Sequence, residues 1–103
     1  MIAYVVTVEV EPDLVQAYVA YMQNRHIPDI LATGCFSAVE MYLAGPGLFR
    51  QRYLAASQAD LNRYLADHAP ALRFDFQQNF AEGTRVTREV WRELGRWTAP
   101  SSL

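Results

Sequence analysis

Apolar residues alternate with other residues along the first segment of the chain, from Ile2 to Val10. β-branched side chains dominate this segment, and together with a period of two they predict a β-strand. The intervening positions Ala3 and Val5 are apolar as well, so both faces of the strand avoid water. We therefore expect this strand near the centre of a sheet that is covered on both sides. The alternating apolar positions are Ile2, Tyr4, Val6, Val8 and Val10.

Two later segments repeat apolar residues at spacings of three and four, the pattern of an amphipathic helix. The first helix, which opens at Pro12, is predicted to end near His26, because Pro28 biases the residue before it away from helical geometry. The second is interrupted at Pro70. We predict that each proline ends or kinks its helix. The apolar stripes consist of Leu14, Ala17, Tyr18, Tyr21 and Met22, and of Leu61, Tyr64 and Leu65.

Three further strands are predicted at residues 35–43, 48–56 and 84–94. A turn containing Gly45-Pro46-Gly47 joins the first two into a hairpin, and Gly34 is the expected left-handed stop before them. The order βαββαβ is α+β and ferredoxin-like, with a four-stranded antiparallel sheet and two helices on one face. The chain has 103 residues, enough for one domain. We place that domain at residues 1–94, followed by a flexible tail at 95–103.

The second face of this sheet has no cover of its own. On the third and fourth strands, four arginines alternate with apolar residues, and we expect them on the open face. They are Arg50, Arg52, Arg88 and Arg92. The chain is 51% hydrophobic and 13% aromatic, which is high for so small a unit. We therefore predict a homodimer that forms sheet to sheet.

Charge and composition exclude several classes of function. The formal net charge is −2 and no Lys/Arg run is present, so we expect no nucleic-acid partner. No apolar run reaches about 18 residues, so we expect no membrane partner and a cytoplasmic location. Cys35 is the single cysteine, which rules out an intramolecular disulfide. Two histidines without a carboxylate at ligand spacing are too few for a metal site.

Both histidines belong to a repeated motif, His26-Ile27-Pro28 and His68-Ala69-Pro70. Each motif follows an amphipathic stretch, so the topology places both histidines at the same end of the sheet. Tyr64 lies one helical turn before His68, and Arg73 follows it where the chain folds back. Two imidazoles and a guanidinium at one rim suit an anion or a carboxylate, with a histidine serving as a base. We predict that His26, His68, Arg73 and Tyr64 contribute to one ligand site.

A structural role explains the same residues. A histidine in the last turn of a helix stabilises the free carbonyls and the helix dipole without any further function. A histidine in an apolar stripe can donate its N–H to a backbone carbonyl, and Arg73 can clamp a helix end or pair with Asp75 or Glu82. The tyrosines of the stripes are typical of core packing, although their hydroxyls need partners when buried.

Several of these segments together resemble a bacterial family of short proteins, domain of unknown function 4286. The resemblance lies in the strand Ile2–Val10, in His26-Ile27-Pro28 with the following Ala32-Thr33-Gly34-Cys35-Phe36, and in Tyr64-Leu65 with His68-Ala69-Pro70-Ala71-Leu72-Arg73. It implies a ferredoxin-like fold related to the dimeric α/β-barrel group. That group includes cofactor-independent monooxygenases, haem-degrading enzymes, lactone isomerases and ligand-sensing domains, so a function follows only by analogy of fold.

Three functions fit the sequence. The first is a small-molecule binding protein for an anionic or carboxylate ligand, or a cofactor-independent enzyme, with a pocket between sheet and helices. The second is a non-catalytic, dimeric interaction or structural module whose histidines only cap helices. The third is a haem-binding protein that uses one histidine, with Arg73 near a propionate. We expect the first, with no cofactor and no metal.

Overall fold

A computed structural model describes residues 1–101 and follows the predicted order of elements. Its strands form one antiparallel sheet in the order β2-β3-β1-β4, so β1 lies between two partners, as its two apolar faces predict. The strands are β1 (Ile2–Val10), β2 (Ala38–Ala44), β3 (Leu48–Ala55) and β4 (Thr84–Arg92). With helices packed on one face, the predicted ferredoxin-like α+β fold is confirmed.

The connection from β1 to β2 is one continuous helical rod built from four segments. A 3₁₀ turn (Pro12–Leu14) leads into α1 (Val15–Tyr21), a π-helical segment (Met22–His26) and α2 (Ile27–Ala32). Beyond α2, Gly34 adopts φ +74°, which is the predicted left-handed stop.

The prediction that the first helix ends near His26, before Pro28, is wrong. His26 and Ile27 keep helical dihedrals, with φ/ψ of −67°/−50° and −64°/−46°. A proline ring in an α-helix clashes with the carbonyl four residues earlier, but the wider π turn before Pro28 moves that carbonyl away. Pro28 therefore lies in the first turn of α2 without breaking the rod.

The second connection has the predicted break. Helix α3 (Gln58–Asp67) ends at His68, whose φ/ψ of −123°/−38° is not helical, and α4 (Ala69–Asn79) starts directly after it with Pro70 in its first turn. The Ser57 hydroxyl caps α3 by accepting the Asp60 N–H at 3.2 Å. The prediction for Pro70 is confirmed.

Helices and sheet enclose two adjoining apolar clusters. One is centred on Tyr4, Phe36 and Tyr64, and the other on Tyr18 and Phe49. The helix-facing side of the sheet consists of the even positions of β1 and the odd positions of β3, since directly paired residues point to the same face. The core is thus a single layer in two halves, with the candidate site at their junction.

The placement of Arg88 and Arg92 on the open face is wrong. β4 pairs with β1 so that Arg88 lies opposite Val6 and Arg92 opposite Ile2, both of which face the helices. Arg50 and Arg52 do lie on the open face, opposite Thr7 and Val5 respectively. β4 alternates weakly in the sequence, so register with β1 alone decides which side its arginines take.

After β4 the described part of the chain has no regular structure as far as residue 101. Leu94 and Trp97 are both 86% exposed there. Residues 102 and 103, the end of the predicted tail, lie outside the described residues. No helix within residues 1–101 combines the length and the apolarity needed to cross a bilayer.

Candidate functional site

A cavity lies between the sheet and the helices where the two apolar clusters meet. The cavity itself has a volume of about 40 Å³ and lies within a depression of about 470 Å³ that includes space open to solvent. Val6, Gln51 and Arg88 belong to its floor, and His26 and Phe76 to its helical side. A mostly apolar cavity with a few polar groups is the usual form of a small-molecule site.

The polar groups of the floor lie in one row across the sheet. Val6 of β1 is paired with Gln51 on one side and with Arg88 on the other. Strands lie about 4.8 Å apart, so the backbones of Gln51 and Arg88 are separated by roughly 10 Å. The row therefore presents a neutral amide at one end and a guanidinium at the other, with the Val6 side chain between them.

Gln51 is the only buried polar or charged residue among those that the structure describes, with 0% exposure. Within residues 1–101 neither its Nε2 nor its Oε1 has a hydrogen-bond partner, and the Tyr18 hydroxyl has none either. These two groups lie close together without meeting the geometry of a hydrogen bond. Burial raises the pKa of Tyr18, and the nearby Gln51 side chain lowers it by a smaller amount. Buried polar groups are nearly always satisfied, so this pair marks a place where a further polar group belongs.

Arg73 and Tyr64 both line the cavity. Arg73 reaches from α4 to the sheet, where its Nη2 donates to the Tyr4 hydroxyl at 2.8 Å. Tyr64 is 4% exposed, with its ring 6.0 Å from that of Tyr4. Burial raises the pKa of Tyr64 to about 12, although the positive charges of Arg73 and Arg88 oppose the shift. This corner of the cavity is thus a neutral phenol beside a guanidinium.

His26 also lines the cavity, at the end of the π-helical segment. Its ring stacks on Tyr21 with centroids 5.4 Å apart and contacts Phe76 at 6.1 Å. Burial lowers the pKa of His26 below the usual 6.5, while the carboxylates of Asp75 and Asp29 act in the opposite direction. The imidazole is therefore neutral at pH 7 and can accept a proton.

The structure does not bring His68 into the cavity wall. Its ring stacks behind Tyr64 with centroids 6.5 Å apart, and its main chain links the two helices. The His68 N–H donates to the Tyr64 carbonyl at 2.9 Å, and its own carbonyl accepts the Leu72 N–H at 3.2 Å. Of the four predicted site residues, His26, Tyr64 and Arg73 share the cavity, and His68 lies outside its wall.

Four polar residues of the site were not predicted, namely Tyr4, Tyr18, Gln51 and Arg88. Gln51 had a signal in the sequence, since it is the polar member of the alternation Phe49, Gln51, Tyr53 on a strand whose inward positions are otherwise aromatic. A polar residue at an inward position needs a partner, and that makes it a candidate. Arg88 had no such signal, because both faces of β4 mix polar and apolar residues.

The charge of the cavity has one sign. Arg73 and Arg88 line it, and among the described lining residues none is Asp or Glu. Nor do any three His, Cys, Asp or Glu side chains gather as a metal site in the part of the chain that the structure describes. The arrangement can hold an organic anion, with hydrogen bonds from the guanidinium groups.

Comparison with known sequences identifies one family. The sequence model of a domain of unknown function, DUF4286, matches residues 1–94. A comparison with curated proteins gives no significant match.

Solved structures share the fold over nearly the whole chain. A protein of unknown function from Nitrosomonas europaea superposes with a TM-score of 0.69 at 19% identity, covering 97% of this chain and 95% of the other. Rv0793 from Mycobacterium tuberculosis superposes with a TM-score of 0.67 at 17% identity, covering 94% of this chain and 98% of the other. A putative antibiotic biosynthesis monooxygenase from Deinococcus radiodurans superposes with a TM-score of 0.62 at 13% identity, covering 98% of this chain and 100% of the other. At these identities the likeness concerns the fold alone.

Proposed function

The chain belongs to the DUF4286 family, a domain of unknown function with the ferredoxin-like fold of the antibiotic biosynthesis monooxygenase type, and from that premise we propose that it binds a small organic anion between its sheet and its helices. The observation that carries this proposal is the Gln51 amide. It is fully buried in the cavity wall and unpartnered at both ends within residues 1–101. A protein that gained nothing from such a group would be more stable with an apolar residue in its place.

The amide end of the cavity defines one part of the ligand. Gln51 offers a donor and an acceptor, and the Tyr18 hydroxyl can act as either. A hydroxyl, an amide or a carbonyl group of the ligand would complete both. Leaving a buried donor or acceptor without a partner costs about 1–3 kcal/mol. A ligand group that completes this hydrogen bonding should therefore gain a similar amount of binding free energy.

The arginine end defines the other part. Arg73 and Arg88 are the charged groups of the wall, and the described lining contains no carboxylate to neutralise them. An anionic group, such as a carboxylate, fits this end. A ring bound over Val6 would have its two ends toward Gln51 and Arg88, whose backbones are roughly 10 Å apart. We therefore expect a flat, mostly apolar molecule with an anion at one end and a neutral hydrogen-bonding group at the other.

Titration with 4-hydroxybenzoate and with its neutral analogue 4-hydroxybenzamide tests this function. We expect the wild-type protein to bind the acid at least about tenfold more tightly than the amide. Arg88→Ala and Arg73→Ala should weaken the acid by about ten- to a hundredfold, because a charge-assisted contact contributes roughly 1.5–3 kcal/mol. Arg50→Ala, on the opposite face of the sheet, is the matched control. Equal affinity for acid and amide would contradict the proposal.

The proposal includes a homodimer formed through the open face of the sheet. Trp91 and Tyr42, on the two edge strands, are 58% and 51% exposed there, and Leu48 is 38% exposed. Arg52 is paired with Glu40 at 2.5 Å on the same face, so its charge is balanced within the subunit. A mixed apolar and charge-balanced sheet face suits a second copy of itself. We also expect the protein to act in the cytoplasm, in keeping with its single, free cysteine.

A further inference from the structure

Three side chains form a line of contacts that ends at the cavity. Asp75 of α4 accepts the Tyr21 hydroxyl proton at 2.6 Å and also pairs with Arg25. The Tyr21 oxygen lies 3.4 Å from Nδ1 of His26, whose ring is part of the cavity wall. Neither Tyr21 nor Asp75 lines the cavity, so their contacts with it pass through His26.

The direction of these hydrogen bonds fixes the state of the imidazole. Because the Tyr21 hydroxyl donates its hydrogen bond to Asp75, the Tyr21 oxygen can only accept a hydrogen bond from His26. Nδ1 of His26 must then carry the proton, and Nε2 is left as the acceptor. A third group that orients a histidine and selects its tautomer in this way is the recurring support of a general base.

The π-helical segment is what allows this contact. Tyr21 and His26 are five residues apart, and in a regular α-helix they would point about 140° away from each other. The wider turn of residues 22–26 brings them to the same side, where their rings stack with an interplanar angle of 28°. Single π turns inside α-helices are frequent at functional sites.

We propose that His26 is a general base for a molecule bound in the cavity, and that Tyr21 and Asp75 are positioning residues that hold its ring and its tautomer. The proposal rests on the proposed function, since the substrate occupies the same cavity. In the step, Nε2 takes a proton from an acidic C–H or O–H of the substrate. The electron pair of that bond stays on the substrate, as an enolate or a phenolate, and the histidine becomes an imidazolium.

The charges around His26 suit such a step. Arg25 and Asp29 lie on its own helical rod and Asp75 faces it from α4. The two carboxylates stabilise the imidazolium that forms, and desolvation keeps the resting ring neutral. Arg73 and Arg88 of the wall attract the anion that develops on the substrate.

The tautomer can be read without any ligand. The chain has two histidines, so a nitrogen-15 spectrum of the imidazoles contains two sets of signals, and His26→Gln assigns them. We expect the Nδ1–H form for His26 in the wild-type protein and a shift toward the Nε2–H form in Tyr21→Phe. An Nε2–H form in the wild type would overturn the positioning role of Tyr21 and Asp75.

The base can be tested with 5-nitrobenzisoxazole, a neutral, flat probe. A base removes its C3 proton, the C–H electron pair becomes part of a nitrile, and the N–O bond breaks to release 2-cyano-4-nitrophenolate. We expect the wild-type protein to accelerate this elimination and His26→Gln to lose at least about tenfold in kcat. Tyr21→Phe and Asp75→Asn should lower kcat with KM unchanged, whereas His68→Gln, outside the cavity wall, keeps the wild-type rate.

If the wild-type protein catalyses the elimination no faster than His26→Gln does, the proposal is overturned. Titration of both proteins with 4-hydroxybenzoate separates this result from the proposed function. If the ligand binds but His26→Gln does not change the elimination rate, only the general base is refuted. If the ligand does not bind to the wild type, the ligand site is refuted. If His26→Gln does not fold, the kcat of Tyr21→Phe decides, because that change deletes a single hydroxyl. A Tyr21→Phe rate equal to that of the wild type then counts against the proposal.

Discussion

Two buried tyrosines, Tyr4 and Tyr18, differ in the partner of their hydroxyl groups. The Tyr4 hydroxyl accepts a hydrogen bond from Arg73, whereas within residues 1–101 the Tyr18 hydroxyl has no partner. Tyr4→Phe should lower the free energy of unfolding by about 1.5–3 kcal/mol, because it removes a bond to a charged group. Tyr18→Phe should be neutral or stabilising by up to about 1 kcal/mol.

Urea denaturation of the two variants is a matched comparison, since the same atom is removed from two rings that are 5% and 0% exposed. Equal destabilisation by both changes would mean that Tyr18 has a partner within the folded chain. The proposed function would then rest on Gln51 alone. If Tyr18→Phe is neutral for stability but weakens 4-hydroxybenzoate, the hydroxyl serves the ligand.

His26 should make the stability of the protein depend on pH. Its pKa is lowered in the folded state, so below pH 6.5 the unfolded chain binds more protons than the native one. The free energy of unfolding then falls as the pH decreases. Thermal unfolding on either side of pH 6.5 should show a smaller loss for His26→Gln than for the wild type. Parallel curves for the two proteins would show that folding leaves the His26 titration unshifted.

At the scale of elements, the π-helical segment contains one residue more than a regular helix needs. Deletion of the exposed Asn24 should convert it to an α-helix and leave the faces of α1 and α2 in place. Pro28 would clash with a carbonyl of that regular helix, so the deletion is made together with Pro28→Ala, and this variant should stay folded. Deletion of the exposed Asn62 is the control, because α3 has no extra residue. That change turns Tyr64 by about 100° out of the core. It should cost about 3–5 kcal/mol, similar to the loss of a buried aromatic side chain.

Circular dichroism and thermal unfolding of the two deletion variants distinguish these outcomes. If deletion of Asn24 together with Pro28→Ala destabilises the protein as much as deletion of Asn62, the segment has no surplus residue. The same experiment bears on function, since the π turn determines how His26 meets Tyr21.

The sequence predicts the ends and breaks of some elements and only the existence of others. β1 was predicted with its exact ends, because alternation of β-branched residues is a local signal. The break at Pro70 was predicted as well, since proline acts on its immediate neighbours. Pro28 has the same local signal and no break, because the π turn before it moves the clashing carbonyl away. Local rules gave the existence of each element, and contacts distant in sequence changed its details.

At the scale of the whole molecule, we predict that two copies associate through the open face. Light scattering should give a mass of about twice 11.7 kDa. Trp91→Asp, on that face, should shift the equilibrium toward the monomer, because it places a charge in an apolar contact. Phe74→Asp is the control: Phe74 is also exposed, 63% against 58%, but lies on α4. Monomeric wild-type protein at micromolar concentration would contradict the prediction.

The sequence by itself determined the order of the elements, the ferredoxin-like fold and three of the residues that share the cavity, His26, Tyr64 and Arg73. These follow from periodicity, turn residues and helix ends, all of which act over a few positions along the chain. The tertiary structure decided which side of β4 carries Arg88, which histidine enters the wall, and that Gln51 is buried without a partner. Each of these depends on register or packing between distant segments, and a one-residue change of register reverses the face of a whole strand.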